Sequence, residues 1–175
     1  NIGFVPELSP LNMVWVIIAS IIFGVAALLF SKSTHFWTSQ FQKFVKYPPL
    51  RPLIGGIIVA LAVYLIGTTK YIGLGIPTIV DSFSQVLPWY DSIVKLIFTS
   101  FTLGAGFKGG EVTPLFYIGA TLGNALANII PLPLGLLAGL GFVAVFSGAT
   151  NTPIACTLMG IELFGIEAGV FIALA

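Results

Sequence analysis

A glycine-rich turn leads into a long apolar segment at residues 106–130, which read GFKGGEVTP (106–114) and then LFYIGATLGNALANII (115–130). Threonine is a good N-cap and proline is favoured at the first helical position, so this stretch predicts a helix that begins at Pro114. The glycines before it permit a turn that aims successive backbone N–H groups at one point, where the helix dipole adds positive potential. The stretch therefore predicts an anion site built mainly from backbone, with the residues Gly109, Gly110, Glu111, Val112 and Thr113.

Glu111 is an ionisable residue in an otherwise apolar region of the chain. At membrane depth such a group usually faces the protein interior or a water-filled cavity, and it is a functional candidate by default. A carboxylate repels a bound anion, whereas a protonated carboxyl can donate a hydrogen bond to it, so proton and anion occupancy favour each other. We expect Glu111 to couple protons to anions. The alternative is an ion pair between Glu111 and Lys108 at the membrane surface.

The composition is that of a membrane protein. Hydrophobic residues make up 57% of the 175 residues and charged residues 7%, against about 25% charged residues in soluble domains. A net charge of +1 without a dense basic cluster argues against nucleic acid as a partner. The single cysteine, Cys156, lies in an apolar run and is predicted to be buried, and His35 is the only histidine. No metal site is therefore expected.

Apolar segments of uneven length predict an all-α fold. Residues 11–30 have about the length that a helix needs to cross the hydrocarbon layer, and helical spacing continues through Val45. The basic residues in 31–51 place that stretch in the cytoplasm by the positive-inside rule. Later segments are broken by glycine and proline, and several are shorter than a bilayer is thick: 53–66, 73–88, 92–103, 115–130, 132–147, 153–164 and 165 onward. Such interruptions are typical of a transporter or channel site.

Other polar and small residues have weaker claims to a functional role. Glu162 lies well inside an apolar segment and is a secondary site candidate, for which a packing role is the preferred interpretation. The remaining acidic residues near segment ends are predicted to be interfacial: Asp81, Asp91 and Glu167. Small residues four apart favour close helix contacts, and packing is the preferred role of two glycine pairs: Gly119/Gly123 and Gly135/Gly139.

The signature at residues 110–114 resembles that of the CLC family of chloride channels and anion/proton antiporters, which carries Gly-x-Phe-x-Pro at a helix N-terminus in its second half. Here the matching residues are Gly110-Glu111-Val112-Thr113-Pro114, with Val112 in place of the usual Phe. Gly-Gly-Glu-Val-Thr-Pro followed by Leu-Phe-Tyr-Ile-Gly-Ala-Thr-Leu-Gly-Asn is similar to the fluoride-exporting branch. The segment 153–164 with Glu162, and the interrupted piece at 73–77, also match the family in order.

The resemblance implies a CLC-type bundle of tilted, short and interrupted transmembrane helices. It further implies that residues 1–175 form a single transmembrane domain, the second inverted-repeat half of a longer transporter. The family's Gly-Arg-Glu-Gly segment and the Tyr of its last helix have no counterpart in these residues. Carried over by position, the N–H groups of Glu111 and Val112 coordinate the anion, Thr113 provides a hydroxyl donor or the helix cap, and Glu111 takes part in the fluoride and proton pathway.

The first functional hypothesis is therefore fluoride export by fluoride/proton antiport, carried out by a homodimer in the bacterial inner membrane. Its partners are fluoride or chloride ions, protons and the lipid bilayer, and no cofactor is expected. A chloride channel or chloride/proton exchanger of the same fold is the alternative. A membrane scaffold subunit that does not transport is a further hypothesis. Enzymatic activity is not expected, because no nucleophile and base pair or metal cluster is evident in the sequence.

Overall fold

Every regular element of the computed structural model, which describes residues 2–175, is helical. This confirms the predicted all-α fold. The helices are α1 (Pro10–Phe44), α2 (Leu50–Ile66), α3 (Ile76–Asp81), α4 (Asp91–Gly104), α5 (Val112–Leu126), α6 (Leu134–Thr150), α7 (Pro153–Phe164) and α8 (Gly169–Leu174), and a 3-10 turn at Ile166–Ala168 precedes the last.

Helix α1 is the longest element and has 35 residues. At about 1.5 Å per residue it spans roughly 52 Å, well beyond the roughly 30 Å of a hydrocarbon layer. It begins with Ser9 as N-cap, whose hydroxyl accepts a hydrogen bond from the backbone N–H of Asn12 at 3.3 Å. The predicted continuation past Phe30 is confirmed. Among the described residues it is the one helix that is both long and apolar enough to cross a membrane by length and composition.

Helices α2, α6 and α7 are apolar but shorter, with 12 to 17 residues each. In α2 the only buried residue is Gly55, and large apolar side chains cover the rest of its surface, among them Leu53, Ile57 and Leu61. A helix that is apolar on all sides and exposed in its own chain requires lipid or further protein around it. The exposed surface thus agrees with the membrane environment predicted from composition.

Helices α5 and α6 make the most extensive contact in the bundle, and α1 packs across α6 and α4. The two helices approach so closely that a Cβ added at Gly119 would overlap the carbonyl oxygen of Gly141, and one added at Gly123 would overlap that of Leu137. The packing role predicted for Gly119 and Gly123 is therefore confirmed. Gly135 and Gly139 also lie in close contacts, but with Ile2 and, for Gly139, Phe164 rather than with α5. Cys156 is buried in the main core, as predicted.

Asn124 ties the segment after α3 to α5. Its side chain is fully buried and makes three hydrogen bonds: Nδ2 donates to the carbonyls of Ser82 at 2.8 Å and Gln85 at 2.7 Å, and Oδ1 accepts from the N–H of Leu87 at 2.9 Å. These bonds satisfy backbone groups of residues 82–87, which are not part of a regular helix. The short helix α3 is therefore held against the bundle by a polar side chain as well as by packing.

Replacing Asn124 with Ala is expected to lower the free energy of unfolding by about 1–3 kcal/mol, since the buried Ser82 carbonyl would lose its partner and the part-buried bonds to Gln85 and Leu87 contribute less. Asn128→Ala is the matched control, because Asn128 is exposed and donates only to the carbonyl of Ala125. Thermal unfolding in detergent measures both variants. Equal melting temperatures for the two would show that the Asn124 network does not hold residues 82–87 in place.

Candidate anion-binding site

Helix α5 begins at Val112, two residues before the predicted start at Pro114. The prediction that Thr113 caps the helix is wrong: Glu111 occupies the N-cap position, and no side chain caps the helix. Glu111 already has a right-handed helical backbone, with φ −92° and ψ −16°, so the first turn forms before the proline. Pro114 then lies third in the helix, where a missing N–H removes no bond because the first four N–H groups have no partner within a helix.

The backbone N–H groups at this helix start are not used by the fold. The first helical bond runs from the N–H of Leu115 to the carbonyl of Glu111 at 3.1 Å. Among residues 2–175 no acceptor binds the N–H groups of the five predicted site residues, Gly109 through Thr113. Free amides at the positive end of a 15-residue helix provide donors and favourable potential for an anion.

The glycines of the turn differ in whether the backbone conformation or the surrounding space requires a glycine. Gly106 has φ +94°, a left-handed conformation that favours glycine. Gly109 and Gly110 have no such angle, and a Cβ added at either would meet nothing within 4 Å. Nothing within residues 2–175 therefore demands glycine at positions 109 and 110. Their small size leaves the approach to the free amides open.

Glu111 is exposed and stands at the head of the helix. The alternative of an ion pair with Lys108 is not realised, since the only ion pair within residues 2–175 joins Lys70 and Asp91. Val112 is exposed as well, and Thr113 is half-buried. The five predicted site residues are contiguous and lie together at one end of α5. Glu162 does not join them: it lies exposed on α7, which packs mainly on α6 and α8.

A cavity of about 700 Å³ opens beside this turn. Gly109, Gly110 and Pro114 form one part of its wall, α2 and α4 form others, and the stretch from Tyr71 to Leu74 forms another. Most of the lining is apolar, and Lys95 of α4 is its one charged residue. The free amides are thus next to a space with few competing protein acceptors.

A polar cluster forms where the residues that follow α2 contact the start of α4. The Asp91 carboxylate is fully buried; it accepts a hydrogen bond from the Tyr71 hydroxyl at 2.7 Å and forms an ion pair with Lys70. Burial and the Asp91 carboxylate raise the pKa of the Tyr71 hydroxyl above its usual value, so this group remains a donor. Asp91, predicted to be interfacial, is therefore covered by protein at the start of α4, and its position relative to the membrane surface stays a prediction.

Lys95 is the functional candidate that the sequence reasoning missed. Its side chain is 1% exposed, and its ammonium donates to the carbonyls of Tyr71 at 3.1 Å and Gly73 at 2.6 Å. A signal for it was present: Lys95 is the one charged residue within the apolar segment 92–103, and it follows Asp91 by four residues, so both lie on one face of α4.

Comparison with known proteins assigns this arrangement to a family. The family model described as "Voltage gated chloride channel" matches residues 2–175. The chain belongs to this family. A chloride/fluoride channel protein of Pseudomonas syringae pv. tomato is 50% identical over 180 residues, which cover 99% of the chain and 40% of that protein. The voltage-gated ClC-type chloride channel ClcB of Salmonella typhimurium is 30% identical over 139 residues, 73% of the chain and 33% of the relative.

A solved structure gives the same assignment. The crystal structure of a CLC-type fluoride/proton antiporter matches 97% of the chain with a TM-score of 0.93 and 34% sequence identity, and the match covers 43% of that protein. The CLC-type helical bundle predicted from the signature is confirmed, and the chain is an integral membrane protein of the CLC family. The chain spans about 40% of the length of the first of these relatives.

Proposed function

We propose that this chain forms the second half of a CLC transporter that exports fluoride in exchange for protons. The observation that carries the proposal is the row of N–H groups without an acceptor in residues 2–175, from Gly109 to Thr113 at the head of α5, which includes the amide of Glu111. In the complete protein, residues 1–175 act as one transmembrane domain of a homodimer in the bacterial inner membrane.

Backbone amides suit fluoride because this ion is small and strongly hydrated, so a site must replace its water shell with several short hydrogen bonds. Charge-assisted N–H and O–H bonds to an anion are shorter and stronger than neutral ones. The helix dipole of α5 adds favourable potential at the same point. Glu111 and Val112 provide the amides, and the unused hydroxyl of Thr113 is one further donor.

Glu111 provides the coupling to protons. When its carboxyl is protonated, it can donate a hydrogen bond to the anion, and when it is ionised it repels the anion. Uptake of a proton at Glu111 therefore favours anion occupancy, and release of the proton favours anion release. In the antiport cycle the proton and the anion must leave toward opposite sides of the membrane, and conformational changes of the complete protein provide this alternation.

The relatives support fluoride as the substrate to different degrees. The Pseudomonas relative at 50% identity is named for chloride and fluoride, and the structural neighbour for fluoride/proton antiport. The Salmonella relative, at 30% identity, is named for chloride alone. A chloride channel or chloride/proton exchanger is the second candidate, and the largely apolar cavity wall would suit that larger, less hydrated halide.

The test is flux from proteoliposomes that contain the complete protein. Vesicles loaded with fluoride are diluted into fluoride-free buffer while a fluoride electrode and an internal pH dye record both ions. The proposal expects fluoride efflux accompanied by proton uptake into the vesicles, with chloride efflux at least tenfold slower. Chloride efflux from chloride-loaded vesicles that is faster than fluoride efflux, with or without proton coupling, would establish the chloride alternative, and the absence of any halide flux would favour a scaffold.

Thr113→Ala is expected to reduce apparent fluoride affinity at least about tenfold, because one hydrogen bond to a charged ligand contributes about 1.5–3 kcal/mol. Folding should be little affected, since the Thr113 side chain does not cap α5. Thr113→Ser retains the hydroxyl and is the matched control, so its affinity should stay near wild type. The concentration dependence of fluoride efflux measures all three proteins. Equal affinity for the Ala and Ser variants would remove Thr113 from the site.

A further inference from the structure

Lys95 places a positive charge in the wall of the cavity that the signature turn also lines. Lys95, Gly109 and Gly110 border the same space of about 700 Å³. The side chain is 1% exposed, so its charge is poorly screened by water. Among the residues that line the cavity no other side chain is charged.

The charge of Lys95 is not cancelled by a carboxylate. Asp91, one helical turn away on α4, is already paired with Lys70 and also accepts from Tyr71. Two cations, Lys95 and the partly exposed Lys70, accompany one carboxylate, which leaves the cluster with one excess positive charge. The carbonyls of Tyr71 and Gly73 solvate the Lys95 ammonium but carry no net charge. Buried charges are normally paired, so an excess charge in a membrane protein points to a mobile counter-ion.

The cluster also has more donors than acceptors. An ammonium has three N–H groups, and Lys95 uses two of them on carbonyls; within residues 2–175 the third finds no hydrogen-bond acceptor. The ring of Tyr117 lies 5.1 Å from the Lys95 nitrogen, and the Tyr117 hydroxyl is fully buried without a partner in the described part of the chain. The unpaired N–H and O–H groups favour an additional acceptor, whereas the Tyr117 ring stabilises the ammonium itself.

We infer that Lys95 is an electrostatic determinant of a second anion position, in the cavity and distinct from the amides at the head of α5. This inference rests on the proposed transport function and adds a residue outside the signature. The anion occupies the cavity opposite the wall that contains Lys95 and is attracted by its charge. The occupant is a small monovalent anion such as a halide, since the cluster has a single excess charge to neutralise.

Lys95 also connects two backbone carbonyls, so a test must separate its charge from its hydrogen bonds. Lys95→Gln retains N–H donors for the Tyr71 and Gly73 carbonyls but removes the charge. Lys95→Arg retains the charge. Lys43→Gln is the matched control, because it removes one charge from an exposed position near the end of α1, away from the cavity.

The experiment measures fluoride efflux against fluoride concentration in proteoliposomes of the complete protein. At an effective dielectric constant near 20, a unit charge about 12 Å away changes anion affinity by about tenfold, and a nearer charge changes it by more. Lys95→Gln should therefore raise KM for fluoride at least about tenfold with a much smaller change in maximal rate, whereas Lys95→Arg and Lys43→Gln should leave KM within about twofold of wild type.

Lys70→Gln provides a second variant if Lys95→Gln does not fold. It removes the other cation of the cluster without touching the hydrogen bonds of Lys95, and KM should rise about threefold because Lys70 is partly exposed and better screened. A wild-type KM in whichever of these two variants folds would overturn the inference while leaving the proposed function intact. Absence of fluoride flux in the wild-type protein would instead reject the proposed function.

Discussion

Replacing Glu111 with Gln is expected to abolish proton-coupled fluoride transport, lowering the coupled flux at least a hundredfold. Glutamine has nearly the same size and can still donate a hydrogen bond, but it cannot take up or release a proton. The N–H groups at the head of α5 belong to the backbone and remain in place. The variant should therefore still bind anions while no proton moves with them. Simultaneous recording of fluoride and internal pH in proteoliposomes measures the effect.

Glu162→Gln is the control for this prediction. Glu162 is exposed on α7, outside the turn that leads into α5, and its neutralisation should leave both fluoride flux and proton coupling near wild type. Coupled transport that persists in Glu111→Gln would show that another group carries the proton. Loss of coupling in Glu162→Gln alone would move the proton site to α7.

Replacing Gly119 with Val is expected to lower the free energy of unfolding by about 3 kcal/mol or more, enough to remove most folded protein from the membrane. Overpacking of a well-packed core typically costs about 1–3 kcal/mol, and a clash with backbone relaxes less readily than one with a side chain. A Cβ at Gly119 would overlap the carbonyl of Gly141, at the centre of the most extensive helix contact in the bundle. The yield of monodisperse protein in detergent and its melting temperature measure the loss.

Gly24→Ala is the matched control, since a Cβ at Gly24 in α1 would meet nothing within 4 Å. Alanine is the better helix former by about 1 kcal/mol in aqueous helices, so this variant should be at least as stable as wild type. A Gly119→Val protein with wild-type yield and melting temperature would mean that α5 and α6 do not approach as closely as described.

The presence of the helices could be predicted from the sequence, because apolar runs favour a helix, and glycine and proline interrupt it, through effects that depend on neighbouring residues. The segment predicted at 153–164 coincides with α7, and the interrupted segment predicted at 73–88 contains the short helix α3. Helix ends were less predictable. Thr113-Pro114 has the composition of a helix start, yet Glu111 already adopts helical dihedral angles and α5 begins at Val112. Nothing in the residue types distinguishes a proline at the first position from one at the third.

Burial of charge was the part that sequence alone did not reveal. Asp91 follows Pro88 and aromatic residues, a context typical of an interface, and its burial depends on Lys70 and Tyr71, which are about 20 residues away. The partners of Lys95 are backbone carbonyls, which every residue has, so the pattern of side chains in the sequence cannot indicate them. The signature turn was predictable because its donors are contiguous in the chain.

The free amides at the head of α5 are proposed to bind a small anion, and the Val112 amide is the group whose environment that anion would change. Glu111-Val112 is the only Glu-Val pair in this sequence. Labelling glutamate with carbonyl carbon-13 and valine with nitrogen-15 therefore makes the Val112 amide the one peptide bond of this chain that carries both labels. A magnetic resonance spectrum can then select that amide. Titration with fluoride is predicted to shift that signal saturably, over the concentration range that drives transport. A Val112 amide signal that does not move while the same sample transports fluoride would contradict the claim.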